Sequence, residues 1–146
     1  MKKKVCIVLL FALLVSSCSN YHSIAELGDT HKLQPLRYTY IRSVVAYLSI
    51  DNGVATCTGA GDSKDSSTTT TVRVTLQKRV IGMSGWANVC TWTDTKSGYS
   101  RAYVSETKSI SRGYDYRVYT YCIIKDSNGN ILESHGCYSA VESYPS

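Results

Sequence analysis

The chain lacks the long apolar and helical segments of membrane-spanning and helical proteins. Its longest uninterrupted apolar run, residues 5–15, contains eleven residues, whereas a helix needs about 20 to cross the hydrocarbon core of a bilayer. No segment places apolar residues at helical spacing over three turns. Helix should therefore be minor or absent in the folded domain.

Groups that support catalysis are also scarce. Only His31 and His135 remain once the export signal described below is removed, and His135 lies in a predicted strand, where a structural role is the commoner one. Asp and Glu occur singly, without the carboxylate pair of a glycoside hydrolase. Gly59-Ala60-Gly61 opens onto Asp62 rather than a helix, unlike a phosphate-binding loop. These absences predict a protein that is not an enzyme, with no catalytic residue and no cofactor.

The N-terminus predicts an export signal. Lys2, Lys3 and Lys4 precede the apolar run, and Ser23-Ile24-Ala25 offers small residues at the two positions that signal peptidase reads. Cleavage there would remove residues 1–25 and release a secreted protein that begins at Glu26. This reading is favoured, because it gives the more usual signal length.

A second candidate cleavage site for the signal precedes Cys18. Leu14-Val15-Ser16-Ser17-Cys18 resembles a bacterial lipobox, in which the signal is residues 1–17 and the cysteine becomes a lipid-modified first residue. The protein would then be a lipoprotein on the outer face of a membrane. Contact with a membrane is expected only in this alternative.

Removal of residues 1–25 changes the net charge and the length of the chain, and both bear on the function that can be expected. The remaining 121 residues suffice for one compact domain. Thirteen basic and eleven acidic residues remain, a net charge of +2 without a basic cluster. A nucleic-acid partner is therefore not expected.

Four cysteines remain in the exported chain, Cys57, Cys90, Cys122 and Cys137. An even number in an exported domain predicts two disulfides, and three pairings satisfy it. Each bridge would add roughly 2–4 kcal/mol to the free energy of unfolding. The spacing of His135 and Cys137 from Cys122 matches no zinc pattern, so no metal site is predicted.

Strand-like runs alternate with turn signals throughout residues 38–146, after a polar, extended leader at 26–37 that contains Pro35. This pattern predicts an all-β domain, a seven-stranded antiparallel sandwich. The predicted strands are 43–50, 54–59, 71–80, 87–92, 100–110, 114–125 and 131–140. The loop signals include 51–53, 59–67, 94–98 and 128–129.

The segment 112–140 carries the strongest pattern, a β-hairpin with its turn at Asn128-Gly129. Strand side chains alternate between faces, so the predicted core face comprises Tyr116, Val118, Thr120, Cys122 and Ile124. The opposite face carries Arg117, Tyr119, Tyr121 and Lys125. The chain has twelve Tyr and one Phe, and Tyr119 and Tyr121 form a candidate face for binding a sugar or a protein. The alternative is an ordinary sheet surface, where tyrosines stack on cross-strand neighbours.

The order of several short motifs resembles a family of small secreted proteins of Gram-positive bacteria. The motifs are Gln34-Pro35, Tyr38-Thr39-Tyr40-Ile41, Leu48-Ser49-Ile50, Gly53-Val54-Ala55-Thr56-Cys57, Val74-Thr75-Leu76-Gln77-Lys78, the pair Trp86 and Trp92, and Gly113-Tyr114-Asp115-Tyr116-Arg117-Val118. The resemblance covers nearly all of the exported chain. It implies secretion and a shared fold, and it implies no activity, since the family has none assigned.

A more distant resemblance is to immunoglobulin and fibronectin type III sandwiches. Residues 116–120 are similar to the sixth strand of the fibronectin type, whose Tyr hydroxyl bonds back to the chain at a corner. By the same resemblance, Cys57 and Cys122 would form the bridge between the sheets, which leaves Cys90 to pair with Cys137. Thr120 departs from the immunoglobulin pattern, because a Tyr is expected two residues before the cysteine.

These observations favour an extracellular or cell-surface binding or adhesion module without enzymatic activity, whose partner is a surface glycan or protein. The alternative is a secreted effector, such as a bacteriocin-like toxin or an enzyme inhibitor. Small size, export and disulfides suit both equally.

Overall fold

The computed structural model describes residues 38–146. The predicted signal peptide, Cys18, His31 and the leader at 26–37 lie outside the described residues. Within the described part, the chain forms strands and no helix, as predicted. No helix with the length and apolarity that a bilayer crossing requires is found in residues 38–146.

Eight strands make up the domain. They are β1 (Ile41–Asp51), β2 (Val54–Ser63), β3 (Thr69–Val80), β4 (Ala87–Ser97), β5 (Ala102–Ser109), β6 (Tyr114–Lys125), β7 (Ile131–Tyr138) and β8 (Glu142–Tyr144). All seven predicted strands are present. The eighth was not predicted, because three residues are too few to display an alternating pattern.

The strands form two antiparallel sheets that face each other in an open, sandwich-like arrangement. The three-stranded sheet has the order β1-β2-β5, and the five-stranded sheet has the order β4-β3-β6-β7, with β8 also paired to β6. Strand β2 packs on β3 and β6, while β1 packs on β6 and β7. The core lies between the two inner faces.

Strand β6 shows why this sequence folds as a sandwich. Its even-numbered residues from Tyr116 to Ile124 are all buried, and its odd-numbered neighbours from Arg117 onward are only partly buried. This confirms the predicted alternation of the hairpin. Tyr116 is the largest fully buried side chain in residues 38–146. Its hydroxyl donates to the Ser111 carbonyl oxygen at 2.8 Å and accepts from the Ser111 N–H at 3.1 Å.

Two glycines of β2 let the sheets approach closely. A Cβ at Gly61 would lie 2.7 Å from Cys122 Sγ, which is too close for van der Waals contact. A Cβ at Gly59 would collide with Thr120 Oγ1 and with Val74 Cγ2. The residue type at both positions is therefore set by the packing of β2 against β3 and β6.

We expect Gly59→Ala to lower the free energy of unfolding by about 1–3 kcal/mol, because the added methyl group overpacks the core. Thr58→Ala, on the opposite face of the same strand, is the matched control and should change it by less than about 0.5 kcal/mol. Urea unfolding monitored by circular dichroism measures both. A Gly59→Ala protein as stable as the wild type would contradict the close approach.

The turns at two hairpins confirm the sequence signals. Asn52 and Gly53, with φ of 48° and 79°, connect β1 to β2 as a two-residue turn of the kind that favours Asn-Gly. At the β6–β7 turn, Gly129 has a φ of 85°, and Asp126 Oδ1 accepts from the N–H groups of Asn128 and Asn130, both at 2.9 Å.

The predicted loop at 59–67 was too long. Strand β2 continues to Ser63, because its glycines permit sheet packing rather than marking a turn. Strand β4 likewise continues to Ser97, so that of the predicted loop at 94–98 only Gly98 lies outside a strand. Residue types that are typical of loops therefore occur inside both strands, namely Gly59 and Gly61 in β2 and Asp94 in β4.

The side chain of Glu133, on β7, forms hydrogen bonds with the backbone at the start of β1. Its carboxylate accepts the backbone N–H groups of Thr39, Tyr40 and Ile41 at 3.0, 2.8 and 2.6 Å. Burial alone would raise the pKa of this carboxyl, but the three N–H groups, with Lys64, bring it below its ordinary value. The ionised form is therefore the one that the fold stabilises.

We expect Glu133→Gln to lower the unfolding temperature at pH 7, because the amide cannot replace the charge-assisted bonds. A folded pKa below the unfolded value of about 4.3 stabilises the protein at higher pH, and this contribution is lost as the pH falls through the folded pKa. The difference between the two proteins should therefore shrink in acid. Thermal unfolding from pH 7 to pH 3 tests this, and a difference that is constant with pH would contradict it.

Candidate binding face

The outer face of the five-stranded sheet brings aromatic, cationic and amide side chains together. The register of β6 with β3 places Arg117 opposite Gln77, Tyr119 opposite Thr75, and Tyr121 opposite Arg73. On the other side of β6, Tyr138 of β7 lies opposite Tyr119. These residues come from three strands, and side chains on alternate positions all point away from the core.

Four of these side chains and Trp86, which precedes β4, form a continuous stack. We call it the aromatic ladder: Trp86, Arg117, Tyr138, Tyr119 and Tyr121. The Arg117 Cζ atom lies 4.2 Å from the Trp86 ring centroid and 4.0 Å from that of Tyr138. The rings of Tyr138 and Tyr119 are 4.6 Å apart, and those of Tyr119 and Tyr121 are 6.2 Å apart with planes 22° from parallel. A guanidinium between two aromatic faces is held by cation–π attraction of about 0.5–1 kcal/mol per ring.

Neighbouring groups hold the ladder in place. The Tyr119 ring covers Gly136, where a Cβ would collide with the ring. The Tyr121 hydroxyl donates to Ser134 Oγ at 2.9 Å, and Arg117 Nε donates to Gln77 Oε1 at 2.8 Å. The ladder is therefore fixed before any ligand arrives, which reduces the entropy that binding would remove.

Two ladder residues, Tyr119 and Arg117, have shifted pKa values but keep their ordinary charges at neutral pH. Burial, together with Tyr138 and Tyr121, raises the pKa of Tyr119, so its hydroxyl remains neutral and able to donate. Burial lowers the pKa of Arg117, Tyr138 opposes this change and Arg79 adds to it. A guanidinium has an unperturbed pKa above 12, so Arg117 stays cationic.

A groove of about 510 Å³ lies beside the ladder, over β3, β4 and β6. Besides Tyr119 and Tyr121, it is lined by Arg73, Thr75, Gln77, Asn88 and Thr91. Two contacts brace its floor. The Thr75 and Thr91 hydroxyls are 3.0 Å apart, and Gln77 Nε2 donates to Asn88 Oδ1 at 2.9 Å. This volume falls within the range of small-molecule sites.

The outer face has an excess of positive charge. Arg79 Nε donates to Asp115 Oδ2 at 3.0 Å, and the Ser143 hydroxyl, with Arg79, lowers the pKa of Asp115 against the effect of burial. Arg73 and Arg117 form no salt bridge within the described residues. Arg117 is covered on both sides by Trp86 and Tyr138, whereas the side chain of Arg73 is exposed and available to an anionic ligand.

Tyr119 and Tyr121 lie on the outer face, opposite the core, as the alternation predicted. They are half-buried rather than fully exposed, because they stack on each other and on their neighbours. Sequence reasoning missed Trp86, Tyr138 and Arg73 as members of the same surface. Only the lateral order of the strands brings them together, and no local pattern reports that order.

His135 and the four described cysteines face the core side of their sheets, and two of the cysteines are fully buried. The register places His135 opposite Cys122 on the core side of β7, and the His135 ring lies 4.8 Å from the Tyr38 ring. Cys57 and Cys122 are buried thiols, and Cys90 is partly buried. No disulfide is at bonding distance in the described part of the chain, and no group of three or more residues there could hold a metal ion.

The pairs implied by the immunoglobulin resemblance are not formed in the structure, for geometric reasons. Cys122 Sγ packs on Gly61, which lies four residues from Cys57, or about 13 Å along an extended strand. Cys90 and Cys137 lie on β4 and β7, three strand spacings or about 14 Å apart across the sheet. A disulfide needs Cα atoms within about 7 Å, so neither pair can bridge without rearrangement. Cys137 is instead a diagonal neighbour of Cys122 on the adjacent strand.

We expect Cys57 and Cys122 to resist alkylation in the folded, reduced protein at pH 8. Burial, with the nearby Cys90, raises the pKa of Cys57 to about 12. Burial, with Asp62 and Glu133, raises the pKa of Cys122 to about 12. Since the thiolate is the reactive form, both should react with iodoacetamide only after unfolding in urea. Mass mapping of labelled peptides measures this, and rapid labelling of either residue in the folded protein would contradict it.

The chain shows no significant match to a protein-family model, to a curated protein or to a solved structure.

Proposed function

We propose that this protein is an extracellular or cell-surface binding or adhesion module that holds a surface glycan or protein on the outer face of its five-stranded sheet. The observation that carries the proposal is the aromatic ladder, with Arg117 stacked between Trp86 and Tyr138. Tyr, Trp and Arg are the residue types enriched where proteins bind their partners. The groove beside the ladder adds hydroxyl and amide groups that could orient a ligand.

We also propose that the sandwich is of the immunoglobulin or fibronectin type III kind. Support comes from the division into a β1-β2-β5 sheet and a β4-β3-β6-β7 sheet. The hydroxyl of Tyr116, near the start of β6, bonds to the backbone five residues upstream at Ser111, as in the tyrosine corner of such domains. Folds of this kind commonly display binding surfaces on a rigid scaffold.

The proposed location follows from the N-terminal sequence. A signal peptide at residues 1–25 would deliver the domain outside the cell, and the alternative lipid on Cys18 would hold it at the outer membrane surface. In either case the outer face of the sheet would meet extracellular partners. The absence of an enzymatic role is part of this proposal, and the packing of His135 against Tyr38 suits it.

The second candidate is a secreted effector that acts through a loop. The observation that favours it lies at the end of β3 and in its connection to β4, where Val80, Ile81 and Met83 expose 50%, 43% and 62% of their surface. Exposed apolar side chains that lie close together often mark contact sites. A growth-inhibition assay of purified protein on related bacteria separates the two candidates, because an adhesion module should leave those cells growing.

We expect the double variant Tyr121→Ala, Tyr138→Ala to weaken binding to arrays of glycans and of surface proteins at least tenfold, since each stacked ring contributes on the order of 1 kcal/mol or more. Tyr47→Ala is the matched control, because Tyr47 is 61% exposed and lies on β1 of the other sheet. Thermal unfolding of all three proteins separates lost binding from lost structure. Equal binding by the double variant and the wild type would contradict the proposed face.

A further inference from the structure

The groove beside the aromatic ladder has a charge that the domain as a whole lacks. Residues 38–146 contain eleven basic and nine acidic residues, so the domain is nearly neutral. Among the described residues that line the groove, Arg73 is the one that carries a charge, and its side chain is exposed. A planar guanidinium binds a carboxylate through two parallel N–H bonds. The groove therefore favours a ligand with an anionic group at the Arg73 end.

The other groups of the groove suit a sugar ring. Tyr119 and Tyr121 are nearly parallel and offer ring surface to the apolar face of a pyranose. The amides of Gln77 and Asn88 and the hydroxyls of Thr75 and Thr91 line the same groove. Amides and hydroxyls both donate and accept, as recognition of sugar hydroxyls requires.

A peptide is a poorer match to this surface. Extended peptides commonly bind by adding a strand to a sheet edge, where backbone groups are unpaired. The groove lies on the face of the sheet, over β3, β4 and β6, and is lined by side chains. Among the described strands β4 pairs only with β3, so its open backbone edge runs along the side of the sheet and not into the groove. A nucleic acid is also a poor match, because a single guanidinium in the groove would leave most of its phosphates without a partner.

We infer that the groove binds a carboxylate-bearing saccharide, with the carboxylate on the guanidinium of Arg73 and a sugar ring on Tyr119 and Tyr121. This inference rests on the proposed function, and it names the ligand class of the same face. It assigns the choice between acidic and neutral sugars to Arg73. It assigns the stacking contact, which any sugar could make, to the two tyrosines.

The test compares the affinity of the protein for uronic-acid oligosaccharides with its affinity for neutral counterparts. Glucuronate-containing and glucose-containing oligosaccharides are titrated into the protein without residues 1–25, and the dissociation constants are measured. We expect at least about tenfold tighter binding of the acidic member, since a charge-assisted contact exceeds a neutral one by that order. The preference should weaken with added salt, because the contact is at the surface. Arg73→Gln should abolish the preference while retaining weak binding of both members.

Arg101→Gln is the matched control, since Arg101 is an exposed arginine between β4 and β5, and it should keep the preference. Equal binding of acidic and neutral members, or an unchanged preference in Arg73→Gln, would overturn the inference. A sulfated saccharide or an acidic peptide that binds more tightly than the uronic acid would overturn it as well. Each of these outcomes leaves the proposed function standing, provided that some glycan or protein binds the wild type and that the double variant Tyr121→Ala, Tyr138→Ala loses this binding. If no array ligand binds in a tyrosine-dependent way, both proposals fail.

Discussion

The close approach of β2 to the five-stranded sheet is the constraint on which the rest of the structure depends. Gly59 and Gly61 have no side chains, so Thr120 and Cys122 of β6 pack directly against the backbone of β2. The space between the sheets is then filled mainly by medium-sized side chains of β3 and β6. Close packing of this kind makes the core sensitive to a single added methyl group.

Strand β6 connects this interior to the candidate binding face. Its even-numbered side chains complete the core, and its odd-numbered side chains carry Arg117, Tyr119 and Tyr121 outward. Because β6 pairs with β3 on one side and with β7 and β8 on the other, the outward side chains have neighbours in both directions. This position explains why the rings are stacked and half-buried instead of extending into solvent.

Side-chain contacts near the ends of strands also hold the two sheets together. Glu133 binds three N–H groups at the start of β1, and so connects the end of one sheet to the beginning of the other. Tyr116 closes the corner before β6 through Ser111. Both contacts satisfy backbone groups at or beyond the ends of strands, which would otherwise need water or a turn.

The sequence by itself determined seven of the eight strands, the two Asn-Gly turns and the core face of β6, because alternation and turn chemistry are properties of neighbouring residues. It misjudged the glycines of β2 as loop residues, since their role appears only when another sheet packs on them. It also suggested cysteine pairs that the structure places far apart, because no local pattern reports the distance between strands. The tertiary structure alone decided that Trp86, Arg73 and Tyr138 lie beside Tyr119 and Tyr121. Those contacts depend on the lateral order of the strands, and that order follows from how two whole sheets bury their apolar faces.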